Sequence, residues 1–229
     1  MTVVEEVDSS GFAIVEDVLD LAATNQLRAL MESIAPHKEG RGGVRNLLDV
    51  REIRELAGSE AIMNLVRPVL GASAFPVRGI LFDKKDGANW KVPWHQDVTI
   101  AVRDRIDVDG YGPWSVKQDV LHVQPPASVL EKMLSVRLHL DDCPKTNGAL
   151  RVIPKSHANG RLSQQQIEVK SAQREAATCE VRCGGALLMR PLLIHASSAA
   201  ESLRHRRVIH FDYANIALDG GLRWREQQN

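Results

Sequence analysis

Three tripeptides in this chain place a histidine two residues before an aspartate: His95-Gln-Asp97, His139-Leu-Asp141 and His210-Phe-Asp212. Successive side chains in a strand alternate sides, so both members of such a pair share one face. An imidazole and a carboxylate on one face are two-thirds of the two-His-one-carboxylate triad that holds non-haem Fe(II) and leaves positions open. The motif alone is weak. With 8 histidines and 15 aspartates in 229 residues, chance gives about half an occurrence. The triad also needs a later histidine. None follows His210, so that pair fails if the chain order holds. His139 and Asp141 could pair with His195, and spacing does not exclude it. His95 and Asp97 have more support: Pro93-Trp94 precedes them, and His195, followed by the arginines Arg204, Arg206 and Arg207, lies 100 residues on.

Three linked segments carry a resemblance. Trp94-His-Gln-Asp97, then Thr146-Asn-Gly-Ala-Leu-Arg-Val-Ile-Pro-Lys-Ser-His157, then His195-x-Ser197 with Arg206 eleven residues after the histidine, resemble the phytanoyl-CoA dioxygenase family in order and spacing. The likeness runs from Gly11 to the last strand near Tyr213. It implies a double-stranded β-helix, the cupin-like jelly roll whose two sheets hold a metal between them. It also implies a catalytic Fe(II) bound by His95, Asp97 and His195, and a 2-oxoglutarate cosubstrate anchored by Arg206, with Ser197 donating to the same distal carboxylate. The physics agrees, because a guanidinium fork pairs bidentately with a carboxylate and cannot lose its charge. Arg207, one step from Arg206, should face the other side of the strand. Lys84 ends the strand before the iron motif and is either a contact to cosubstrate or substrate, or a solvated strand end. The family's Gly-Ser-His motif reads Lys155-Ser-His157 here, which puts the local turn in question. Related halogenating enzymes lack the triad carboxylate, so Asp97 favours oxygenation.

The elements that position these residues fall into two textures. The first third reads helical. Asp20 caps a helix starting at Leu21, with Leu27, Leu30, Met31 and Ile34 at helical spacing, and a second amphipathic helix is expected from Val50 to Leu70, stopped by Gly71. Phe12–Val15 is a short strand. From Val77 onward come short apolar runs with turn punctuation: Gly79–Phe82, Val136–Leu140, Ala149–Ile153, Ala186–Met189 and Val208–Tyr213. Such runs suggest a sandwich or barrel. Residues 103–135 interrupt them as an irregular, lid-like insertion that carries Trp114, Lys117 and His122 as candidate substrate contacts, or simply as polar loop residues. Arg137, His139 and Asp141 share a strand face that meets either the cavity or solvent. His157 reads as structural, and Cys179 and Cys183 as small buried hydrophobes.

The expected architecture is mainly β with flanking helices: one jelly-roll domain over 1–229 with an N-terminal helical layer. The 29 basic and 29 acidic side chains balance, which argues against a nucleic-acid-coating protein. No apolar run approaches the ~20 residues needed to span a bilayer. The acidic N-terminus lacks a basic-flanked apolar stretch, and three cysteines form no CxxC pair. A reducing cytoplasm is therefore the expected home. Together these readings point to an Fe(II)- and 2-oxoglutarate-dependent dioxygenase that uses O₂ to hydroxylate a small organic molecule and releases succinate and CO₂. The rival readings are a jelly-roll sensing module without turnover and a cupin-type metal-dependent hydrolase or isomerase. Neither rival requires that both the ligand set and Arg206 be kept. Substrate identity and oligomeric state have no signature in the sequence.

Overall fold

The computed structural model describes residues 1–34, 43–201 and 204–226. The chain opens with α1 (Val3–Ser10), β1 (Phe12–Val15), α2 (Leu21–Ile34), α3 (Arg51–Ala57) and α4 (Glu60–Leu70). Then follow β2 (Phe75–Lys84), β3 (Val92–His95), β4 (Ile100–Ala101), β5 (Trp114–Lys117), β6 (Val120–Val123), α5 (Ala127–Leu130) and β7 (Met133–His139). The last third holds β8 (Leu150–Val152), α6 (Gln164–Gln173), β9 (Ala177–Cys179), β10 (Ala186–Met189), β11 (His195–Ser197) and β12 (Arg206–Ala214).

Two antiparallel sheets form the jelly roll, with strand orders β1-β10-β7-β12-β2 and β3-β11-β8-β9. The larger sheet is apolar on its outer face. Leu134, Val136 and Leu138 of β7 and Ile209, Phe211 and Tyr213 of β12 join Val7, Met31, Ile53, Ile62 and Val66 of the four helices in one buried cluster. Full burial of a side chain such as Phe211 contributes about 1.5–3 kcal/mol, so this helical layer is the main apolar core. The alternate residues point inward between the sheets, and most of them are polar: Ser135, Arg137 and His139 on β7, and Arg206, His210 and Asp212 on β12, all buried. Register carries β2 into the same arrangement, with Lys84 opposite Arg206 and Arg78 opposite Asp212.

Asp20 caps α2 as expected, its Oδ1 accepting the Ala23 N–H at 2.7 Å. The expected Val50–Leu70 helix is two helices. The chain breaks at Gly58-Ser59, where Ser59 takes extended dihedrals and its hydroxyl turns back to donate to Leu56 O at 2.7 Å. Helix α1 was not anticipated. It is fixed by a capping box in which Thr2 Oγ1 accepts the Glu5 N–H and Glu5 accepts the Thr2 N–H. Residues 103–135 are less irregular than their composition suggests. β5 and β6 pair as a hairpin and β6 adds β4, giving a third, three-stranded sheet over a second apolar cluster that includes Ile100, Val123, Leu130 and Trp224. The hairpin turns at Gln118-Asp119, both at positive φ (48° and 61°). No helix among the described residues is long and apolar enough to cross a membrane.

Candidate metal centre

β3 and β11 are neighbours in the smaller sheet, and His95 and His195 are direct cross-strand partners. β3 ends at His95, so Asp97 lies just beyond the strand, where its N–H bonds Pro191 O at 2.9 Å. Gln96 between them is buried and points away. Its amide donates to Gly160 O (2.9 Å) and Leu192 O (2.6 Å) and accepts the Leu162 N–H (2.8 Å). These three bonds fix the intervening residue, so His95 and Asp97 turn to the same side. The sequence reading passed over Gln96.

The ligating atoms of His95, Asp97 and His195 all lie within 4.8 Å of one another. His95 Nδ1 bonds Pro93 O at 2.8 Å, and His195 Nδ1 bonds Leu193 O at 2.9 Å. A carbonyl only accepts, so each Nδ1 carries the ring proton and each Nε2 is left with a bare lone pair. Those Nε2 atoms face Asp97 at 3.9 Å and 3.7 Å, too far for hydrogen bonds. Burial and the adjacent His95 hold His195 down at about 3, a neutral imidazole at ordinary pH. Burial would raise Asp97, but the fields of His195, His95, His210 and Arg78 outweigh it and hold the carboxyl at about 2. Two imidazole lone pairs and a carboxylate converging with no hydrogen between them form a donor set for a divalent transition metal. The His195 side chain is 4% exposed, whereas those of His95 and Asp97 are 34% and 27% exposed, so the cluster opens to one side.

The other two His-x-Asp pairs do not form such a set. β7 ends at His139 and the chain bends at Leu140, so Asp141 leaves the face of Arg137 and His139. On the outside it takes a bidentate pair from Arg207, whose third nitrogen reaches Glu32. This correction to the shared-face expectation also places Arg207 on the side opposite Arg206, as expected. His210 and Asp212 stay inside, fully hydrogen-bonded: His210 Nε2 donates to Asp212 at 2.9 Å, Arg137 donates to His210 Nδ1 at 3.0 Å, and Arg78 and Ser135 donate to Asp212.

Lys84, Ser197 and Arg206 meet deeper in the barrel. Lys84 is not a solvated strand end. It is 0% exposed, and its ammonium donates to Ser197 Oγ at 3.0 Å and Ser198 O at 2.5 Å. Ser197 is the acceptor in that bond, so its own proton stays available. Arg206 donates to Gly148 O, while its Nε has no partner among the described residues. Gly148 sits at φ +67°, and a Cβ there would lie 2.8 Å from Ser198 O, so glycine is needed at this wall. Burial, then Arg206, lowers Lys84 to about 7. No carboxylate forms an ion pair with either cation among the described residues. Two buried cations and a free hydroxyl donor suit one end of a dicarboxylate.

Arg137 and His139 line the interior, with Arg137 Nε and both His139 ring nitrogens unpartnered. Of the insertion residues, His122 is buried with Nε2 unpartnered, Lys117 donates to Thr99 Oγ1 at 3.0 Å, and Trp114 stacks under Arg105. His157 bonds Asp8 O at 3.2 Å near Gly11. The departure at Lys155 leaves the turn intact, with Lys155 itself at φ +67°.

The epimerase SnoN from nogalamycin biosynthesis, described as a non-haem alpha-ketoglutarate-dependent enzyme, superposes with a TM-score of 0.71 at 17% identity, over 94% of this chain and 82% of that one. The carbocyclase SnoK from the same biosynthesis gives 0.71 at 16%, over 93% and 83%. Iron-bound HygX from Streptomyces hygroscopicus gives 0.67 at 17%, over 93% and 87%. These likenesses establish the jelly-roll fold. No curated protein sequence matches significantly. The family model for phytanoyl-CoA dioxygenase (PhyH) matches residues 7–208, a span that holds the converging His95, Asp97 and His195 and also Arg206, and the chain belongs to that family.

Proposed function

We propose that this protein is an Fe(II)- and 2-oxoglutarate-dependent oxygenase that hydroxylates a C–H bond of a small organic substrate. One observation carries the reading: the convergence of His95 Nε2, His195 Nε2 and Asp97, their hydrogen-free lone pairs facing one another, in the same barrel as the unpaired cations Lys84 and Arg206. In this reading His95, Asp97 and His195 hold iron, and Arg206, Ser197 and Lys84 hold the distal carboxylate of 2-oxoglutarate. With O₂ as co-reactant, bound iron and 2-oxoglutarate would supply an oxidant able to take hydrogen from carbon, with release of succinate and CO₂. The chain's own part is orientation. Pro93 O and Leu193 O fix the ring tautomers, Gln96 fixes the turn between His95 and Asp97, and the buried Lys84–Ser197–Arg206 group keeps water from the cosubstrate's charged end.

The test incubates purified protein with Fe(II), 2-oxoglutarate and O₂ and measures succinate. Succinate formed in step with a product gaining one oxygen supports the proposal. Turnover whose product keeps its mass would make the reaction an isomerisation on the same scaffold, an outcome to include because the similar SnoN is described as an epimerase. No succinate under any condition would sink the cosubstrate reading.

A further inference from the structure

A second basic group, made of other residues than Lys84 and Arg206, gathers around Thr99, two residues past Asp97. A cleft is lined by Arg45, Asn46 and Arg78 together with His122 and the C-terminal Arg225 and Glu226. Arg78 donates both to Asp212 and to Thr99 O, and Lys117 donates to the hydroxyl of that same Thr99, two residues past Asp97. Arg45 is tied in from its own backbone. Its N–H bonds Gln118 Oε1 at 3.1 Å, and Asn46 donates to Gln118 O at 3.3 Å, so the segment before α3 is pinned to the β5–β6 hairpin.

Two cations of this group have no carboxylate partner of their own among the described residues. Arg78 is answered by Asp212, and Arg225 by Asp49 and Glu226. Among the described residues neither Arg45 nor Lys117 has a carboxylate partner, and no hydrogen bond engages the Arg45 guanidinium. The carboxylate both cations feel is Asp97. Burial, then Arg78, lowers Arg45, and burial, then Arg45 and Arg78, lowers Lys117, while Asp97 raises both. A divalent metal on Asp97 would draw on that same charge and leave Arg45 and Lys117 without a carboxylate of their own. His122 adds a second feature. It is 1% exposed, its Nδ1 bonds Val120 O at 2.9 Å, and its Nε2 has no partner. With the proton on Nδ1, Nε2 is an acceptor that lacks a donor.

Resting on the reading of the metal and cosubstrate above, we infer that the substrate is an anion, whose carboxylate or phosphate sits between Arg45 and Lys117 while a nearby hydroxyl or N–H donates to His122. Arg45 and Lys117 are then binding residues for the substrate, distinct from the pair proposed to hold 2-oxoglutarate. The long, partly exposed side chains suit a group that arrives from solvent and is steered by charge.

The test loads the protein with Ni(II) and 2-oxoglutarate and titrates matched probes by calorimetry. The pairs are phenylacetate with phenylacetamide, 3-hydroxybutyrate with its amide, phenyl phosphate with phenol, and glucose 6-phosphate with glucose. At least one anion should bind about tenfold or more tightly than its neutral partner, with affinity that falls as salt is added. Carboxylates alone or phosphates alone identify which anion the site takes. Arg45→Gln and Lys117→Gln should each weaken that anion about tenfold while 2-oxoglutarate affinity stays at the wild-type value. Arg45→Lys should keep most of the binding, which separates lost charge from lost folding. Neutral partners binding equally well, no anion binding, or anion affinity unmoved in both Gln variants would overturn the inference. Wild-type protein that fails to take up 2-oxoglutarate would instead sink the cosubstrate reading, and the probe series repeated on the nickel protein alone would still decide this one.

Discussion

At His95, Asp97 and His195 each ring proton goes to a backbone carbonyl two residues back, and the remaining lone pairs converge on a carboxylate that no donor among the described residues reaches at hydrogen-bonding distance. At His210 and Asp212, on the facing sheet of the same barrel, the ring proton goes to the aspartate itself, and Arg137, Arg78 and Ser135 fill what is left. The tripeptide pattern is the same and both carboxylates sit low, yet only one pair has lone pairs to give. A His-x-Asp motif becomes a metal site where the backbone takes up the imidazole protons, and a structural ion network where the carboxylate does. Neighbouring chain decides this. Pro93 and Leu193 sit two residues before their histidines at the ends of short strands, whereas His210 lies in the middle of the nine-residue β12, where its carbonyl neighbours belong to the ladder.

The sharpest way to break this comparison is to remove one member of each pair. His95→Ala or Asp97→Ala should abolish Fe(II) binding, measured as metal retained after anaerobic loading and desalting, while Asp141→Ala retains it. Metal lost from Asp141→Ala and kept in Asp97→Ala would reverse the assignment. Asp212→Asn should do the opposite. It leaves Arg78 and His210 buried without their carboxylate, costing about 3–5 kcal/mol in chemical denaturation, with metal stoichiometry unchanged.

Arg206→Lys keeps the charge and loses the fork. Truncating such a buried charge pair costs roughly 2–5 kcal/mol, so 2-oxoglutarate affinity, read by its charge-transfer band under anaerobic conditions, should fall at least about 30-fold. Arg207→Lys, facing Asp141 and Glu32 outside, should leave that affinity alone. A smaller effect belongs to pH. With Lys84 at about 7 in the free protein, an incoming dicarboxylate raises it, so binding takes up a proton above that pH. Affinity should be flat below about pH 7 and fall by up to about tenfold per unit above it, and Lys84→Gln should flatten the profile. The smallest effect is at the turn before His157. Lys155 occupies a left-handed conformation that glycine adopts freely, so Lys155→Gly should stabilise the fold by about 1 kcal/mol with site properties unchanged.

Much of the fold was legible because the strands after Val77 are short apolar runs with clear punctuation, and because Asp20 and Gly71 are strong helix signals. The site was legible through its chain order. What escaped lacked a local cue in the sequence. The β5–β6 hairpin turns on Gln118-Asp119, two non-glycine residues at positive φ, so the usual Asn-Gly cue is missing. The Val50–Leu70 pattern stays apolar across Gly58-Ser59, and only the backbone break there divides it. Lys84 stays open in the sequence between a cosubstrate contact and a solvated strand end, because burial of a lysine depends on partners more than 100 residues away. Arg45 carries no motif at all, and only the folded hairpin brings it near Lys117.

One consequence follows from the cross-strand pairing of His95 with His195. Two of the three proposed ligands are in a single tight segment, and the third arrives only when a loop of one hundred residues has closed. Closing so long a loop is entropically costly and slow, so the pairing belongs to the late steps of folding. An unfolded or half-folded chain therefore offers iron a two-donor site at best, whereas the finished barrel offers three. A metal that prefers the complete set stabilises the native state by mass action and gives nothing to its precursors. Iron would act as a latch on the finished barrel, and its release rate would report how often β3 and β11 part.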